Sequence, residues 1–128
     1  MSRETSALPL RLAVLVSGSG TTLQGLLNAI DAGKLQAEIV AVVSSRRDAY
    51  ALQRARRRDI ATYVLRPRDF VPVKAHDAAL AKTLREVSPD LIVLAGYMVR
   101  VGDVTLGAFH GRIMNIHPSL LPACTKRF

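Results

Sequence analysis

The sequence contains a single cysteine, Cys124, and no tryptophan in 128 residues. One cysteine excludes an internal disulfide and fits a reducing compartment. Aromatic side chains make up only 5% of the chain. With so few rings between its arginines, it offers no stacking platform for bases, and no nucleic-acid partner is expected. No apolar run approaches the roughly 18–20 residues of a membrane-spanning helix. The opening MSRETSALPL lacks the apolar centre of a secretory signal. No His, Cys, Asp or Glu cluster has the spacing of a metal site. These absences predict a soluble, cytoplasmic protein with no metal and no membrane partner.

Acidic residues are also scarce: 10 Asp and Glu stand against 18 Lys and Arg, a formal net charge of +8. Much of the excess lies in three clusters: Arg46–Arg47, Arg54 with Arg56, Arg57 and Arg58, and Arg66 with Arg68. Such a surface attracts anions, a phosphorylated metabolite among them, or simply forms a solvated helix face.

What is present is an apolar share of 49%, enough for one domain of this length to bury a real core. Residues 1–9 read as a disordered leader. Leu12 to Val16 is a continuous apolar run, as in a strand buried on both faces. After a glycine-rich turn, Leu23, Leu26, Leu27 and Ile30 line one face of a helix that Thr21 or Thr22 can cap and Gly33 can close. Further strands are expected at Ile39–Val43, Ala61–Leu65, Asp90–Gly96 and Arg112–Ile116. Helices are expected from Asp48, as cap, to about Arg58, from Pro72 to Ser88, and over about Asp103 to His110.

Alternation of strand and helix predicts an α/β fold, doubly wound around a mostly parallel sheet. In such sheets ligands bind beyond the carboxyl ends of the strands. Three stretches fall there: Ser17–Thr22, Gly96–Gly102 and Asn115–Ser119. His76 and His110 have no comparable setting and read as surface residues. Cys124 reads as a free thiol.

The first stretch, SGSGTT, follows a strand and opens a helix. Bare glycine backbone and unpaired helix N–H groups suit a single phosphate. It is neither a Walker A loop, since no Gly-Lys-Ser/Thr follows, nor a full dinucleotide fingerprint, since Leu23 stands where the last glycine belongs. In the third stretch, Asn115 and His117 lie two apart on an extended segment and leave it on the same side. An amide donor can hold a developing oxyanion, worth roughly 10²–10³ in rate. An imidazole can move a proton, worth roughly 10²–10⁴. That pairing suits acyl transfer to a substrate that brings its own amine.

Taken together, SGSGTTLQ, PDLIVLAGYM and GRIMNIHPSLLP resemble, in this order, the folate-dependent phosphoribosylglycinamide formyltransferases, from about Arg11 to Pro122. The resemblance implies the family's Rossmann-like sheet, N-terminal half only, and formyl transfer from 10-formyltetrahydrofolate to the amine of glycinamide ribonucleotide in purine synthesis. It implies that Gly20, Thr21 and Thr22 hold the ribonucleotide phosphate, and that Met98, Val99, Arg100 and Val101, with Asn115, contact the folate. It further implies that Asn115 binds the formyl oxygen and that His117 moves the proton, so that the two stabilise a tetrahedral intermediate.

The chain departs from the family at Thr22 and at Val99, where a basic residue is common. It also departs at Val73, where relatives carry a folate-contacting arginine and Lys74 stands alongside. Relatives continue beyond LLP into a segment bearing an aspartate that tunes the histidine. The expectation is therefore a formyltransferase domain over 10–122, truncated after Pro122, with 123–128 as a non-family tail. Such a chain can be inactive alone and self-associate through exposed sheet surface. The alternatives are a formyltetrahydrofolate hydrolase, from which Pro118 after the histidine separates it, and a non-catalytic phosphate- or nucleotide-binding remnant.

Overall fold

The computed structural model describes residues 8–116 and the backbone of 126–127. Its strands are β1 (Leu10–Val16), β2 (Ala37–Ser44), β3 (Thr62–Val64), β4 (Leu91–Leu94), β5 (Ile113–Asn115) and β6 (Lys126–Arg127). Its helices are α1 (Thr21–Asp31), α2 (Tyr50–Arg56), α3 (Val73–Val87) and α4 (Asp103–Ala108). The strands form one sheet in the order β3-β2-β1-β4-β5-β6. The first five pair in parallel, and the two-residue β6 runs antiparallel to β5. The expected doubly wound, mostly parallel sheet is present, and the chain order reverses direction across the sheet at β1.

β1 shows why its sequence is apolar throughout. Leu12, Val14 and Val16 face one buried cluster, with Leu23, Leu26 and Leu27 of α1 and Ala51, Leu52 and Ala55 of α2. Ala13 and Leu15 face the other, with Leu80 and Leu84 of α3 and Phe109 just beyond α4. Alternate side chains leave opposite faces of a strand, so a strand covered on both faces must be apolar at every position. β2 adds an irregularity. Its register against β1 slips between Leu12 and Ala13, so that Leu12 faces Ile39 and Ala13 faces Ala41. Val40 is the extra residue. Ile39 and Val42, three apart, therefore reach the same cluster, as a bulge resets the alternation.

Three local readings need correction. Gly20, with φ +81°, rather than Thr21 or Thr22, stands at the N-cap of α1, and no side chain caps it. Gly20 lies against Ala51 of α2 in a left-handed backbone conformation that glycine adopts readily and threonine does not. Asp48 does not cap α2: Ala49 holds that position, and Asp48 is bound to Arg46. His76 is buried, not on the surface. Its Nε2 lies 2.8 Å from the carbonyl oxygen of Leu65, which can only accept, so Nε2 carries the proton. The ring also meets Phe70 edge-on at 5.4 Å. His110 is exposed as expected, and Cys124 lies outside the described residues.

Candidate functional site

The glycine turn between β1 and α1 is held from behind by α2. The Ala51 N–H donates to the Gly18 carbonyl at 3.1 Å. Arg54 donates through Nε to the Ser19 carbonyl at 2.8 Å and through Nη1 to Gln24 at 3.2 Å. Its guanidinium also lies 4.9 Å from the Tyr50 ring centre. A Cβ on Gly20 would come within 2.7 Å of the Ala51 backbone. Glycine is therefore required at Gly20 twice, by its positive φ and by the close approach. Gly18 and Ser19 stay exposed, and a Cβ on Gly18 would meet nothing. Thr21 is exposed while Thr22 is buried on the inner face of α1. The turn thus presents open backbone and the start of an 11-residue helix, whose first N–H groups have no partner within the helix.

A buried serine links this turn to the end of β2 and to the 96–102 stretch. Ser17 Oγ lies 2.6 Å from Ser45 Oγ at the end of β2, and it accepts the Met98 N–H at 2.8 Å. The Ala95 N–H donates to the Leu15 carbonyl, and the Ile116 N–H donates to that of Leu94. Hydrogen bonds thus tie the carboxyl ends of β1, β2, β4 and β5 side by side.

Beyond β4 the chain turns at Gly96, with φ +72°. Met98 stands 83% exposed, Val99 is half-buried and Arg100 is exposed. Val101 packs against the second core cluster and anchors the loop. The loop's far end is pinned by Asp77 of α3. Its carboxylate accepts the N–H groups of Gly102 (3.1 Å), Val104 (2.8 Å) and Thr105 (3.4 Å). Asp77 thus caps α4 from a different helix, in a place where a Cβ on Gly102 would collide at 2.6 Å. Tyr97, inside the loop, has a buried hydroxyl with no hydrogen-bond partner among the described residues. Burial, and secondarily the Asp77 charge, pushes its pKa up to about 12.

Asn115 ends β5 opposite Leu94 of β4, exposed at the same carboxyl edge. His117 lies outside the described residues, as does Pro118–Ser119. Val73 and Lys74 are exposed in the first turn of α3. The glycine turn, the 98–101 loop and Asn115 therefore share one edge of the sheet. Sequence reasoning places Ser17 in the 17–22 stretch and Arg54 in a basic cluster without a positioning role, and misses Ser45 and Asp77; all four position these segments. A polar residue immediately after an apolar strand was the only signal for the serines; the partners of Arg54 and Asp77 are far off in sequence.

A parallel, doubly wound sheet of order 3-2-1-4-5, with an open glycine turn and an asparagine on its carboxyl edge, defines a Rossmann-like α/β fold with its ligand side at the strand ends. The formyl transferase family matches residues 10–125, and the chain belongs to that family. The phosphoribosylglycinamide formyltransferase of Haemophilus influenzae is 42% identical over 112 residues, 88% of this chain and 53% of that protein. The solved glycinamide ribonucleotide transformylase 1 of Symbiobacterium toebii is 46% identical. It superposes with a TM-score of 0.81 over 90% of this chain and 54% of its own. A formyltetrahydrofolate deformylase of Pseudomonas putida, 24% identical, shares the fold with a TM-score of 0.76 over 88% of this chain and 40% of its own. The chain spans about half the length of the curated relatives it matches.

Proposed function

We propose that this chain serves formyl transfer from 10-formyltetrahydrofolate to the amine of glycinamide ribonucleotide. The observation that carries the reading is the shared carboxyl edge, where an open glycine turn, the 98–101 loop and Asn115 stand together in a chain 42% identical to a phosphoribosylglycinamide formyltransferase. In this reading the backbone of Gly20, Thr21 and Thr22, with the Thr21 hydroxyl, receives the ribonucleotide phosphate. Met98, Val99, Arg100 and Val101 receive the pterin of the folate. The Asn115 amide donates to the formyl oxygen as it gains charge. The amine attacks the formyl carbon; His117 takes a proton from that amine and delivers it to the folate nitrogen, whose bond to the formyl carbon breaks as the tetrahedral intermediate collapses to release tetrahydrofolate. Self-association belongs to the same reading. β3 has no strand beyond it among the described residues, and sedimentation velocity over a range of concentrations checks it.

The test is a formyl-transfer assay on the full chain with both substrates, coupled to calorimetric titration of glycinamide ribonucleotide. Asn115→Ala is expected to lower kcat by roughly 10²–10³ and His117→Ala by roughly 10²–10⁴, each with little change in ribonucleotide affinity. Absence of saturable ribonucleotide binding at about 1 mM, a free energy near −4 kcal/mol, would count against the phosphate assignment.

A further inference from the structure

The glycine turn leaves unexplained the arginines on its far side. Beyond β2 and β3 the chain gathers Ser45, Arg46, Arg47 and Asp48 against Arg66 and Arg68 around a cavity of about 510 Å³. A smaller recess of about 240 Å³ between the glycine turn and Tyr50 shares Arg46 and Asp48 with it. The two openings are therefore adjacent and distinct.

Two of the four guanidiniums are held in place. Arg46 meets Asp48 side-on, with Nε and Nη2 each 3.1 Å from a carboxylate oxygen. Arg66 meets Asp69 in the same way, both contacts at 2.9 Å. Each pair uses one edge of the guanidinium and leaves the Nη1 donors free. Arg47 and Arg68 have no hydrogen-bond partner among the described residues. Four cations against two carboxylates leave a surplus of two positive charges. Asp69 is held below the usual carboxylate range mainly by Arg66, with Arg47 and Arg68 adding to the effect, so both loops share one field.

Stability does not account for this arrangement. Exposed ion pairs contribute only about 0–1 kcal/mol, and like charges on adjacent loops repel. We propose that the pocket binds a phosphate monoester group, at a site separate from the glycine turn. A phosphate monoester at neutral pH carries about −1.5 to −2 charges, matching the surplus. Its tetrahedral oxygens can accept from guanidiniums on two different loops, whereas a planar carboxylate meets one fork at a time. The position agrees as well: both loops leave the carboxyl ends of parallel strands, β2 and β3, where doubly wound sheets bind their ligands.

The experiment is calorimetric titration of the full chain with inorganic phosphate, ribose 5-phosphate and triglutamate at constant ionic strength. It is repeated on Gly20→Ala, on Arg47→Ser/Arg68→Ser and on Arg47→Lys/Arg68→Lys. Circular dichroism confirms that each variant is folded. The Ser pair is expected to weaken one phosphate-binding component by about tenfold or more, and Gly20→Ala is expected to spare that component. Tighter binding of ribose 5-phosphate than of phosphate identifies a sugar phosphate as the source, and equal binding identifies the free anion. Unchanged phosphate binding in the Ser pair overturns the proposal. So does full retention by the Lys pair, which means a diffuse field without fork recognition, or tighter binding of triglutamate than of either phosphate.

Discussion

At Ser17 one hydroxyl serves two partners, Ser45 Oγ and the Met98 N–H. Ser17→Ala strands the Met98 N–H in a partly buried place and unties the 98–101 loop from the glycine turn. The expected loss is about 1–3 kcal/mol in denaturant unfolding. Gly20→Ala is expected to cost about 1–2 kcal/mol for the left-handed backbone alone, with added displacement of α2 because Ala51 stands at 2.7 Å. The same variant should lose ribonucleotide affinity in calorimetry. Tyr97 offers a pH test. Its pKa is raised to about 12 in the folded chain, above the ordinary value near 10. The unfolded chain then loses its proton first, so stability is undiminished below about pH 10 and falls as pH rises toward 12. In Tyr97→Phe this part of the alkaline loss should vanish in urea titrations between those pH values. Neutral-pH stability should be unchanged or higher, because an unpaired buried hydroxyl is gone.

Among the elements, α4 is the one least able to stand alone. It has six residues, and Gly102 at its N-cap offers no side-chain bond. Asp77 of α3 supplies that cap instead, with three N–H contacts. Asp77→Ala is expected to cost about 0.5–2 kcal/mol. It should also raise hydrogen exchange at Gly102, Val104 and Thr105 specifically, which separates lost capping from general destabilisation. The sequence shows where α4 lies, because periodicity is local. It does not show what caps α4, because the partner is on another helix. Asp48 illustrates the reverse: a good local capping residue is drawn to Arg46, a charge-assisted pair that competes with the cap. His76 was misread for a related reason. A polar ring reads as exposed until a carbonyl, here that of Leu65, is brought within 2.8 Å of it.

For the whole molecule, the sheet separates two cores with no shared members. Ile39 belongs to one and Ile92 to the other. Ile39→Val and Ile92→Val should each cost about 0.5–1.5 kcal/mol. The double variant should equal their sum within about 0.5 kcal/mol in urea unfolding. Coupling well beyond that would mean the sheet transmits strain between its faces.

The alternation of apolar strands with amphipathic helices, the buried-on-both-faces character of β1 and β4, and the placement of the glycine turn and Asn115 at strand ends were all determined by the sequence itself. Each is legible within a short window: an unbroken apolar run for a strand covered on both faces, a 3.6-residue period for a helix, and a glycine or polar residue where a run ends. The β2 bulge, the serine contact joining three strand ends, the Asp77 cap, the bracing of the glycine turn by Arg54 and the meeting of two arginine loops in one pocket were decided only by tertiary structure. These contacts join residues from 25 to 81 positions apart in several cases. They exist because parallel crossovers return distant strand ends to one edge, where polar groups leaving a buried sheet must find partners or pay desolvation.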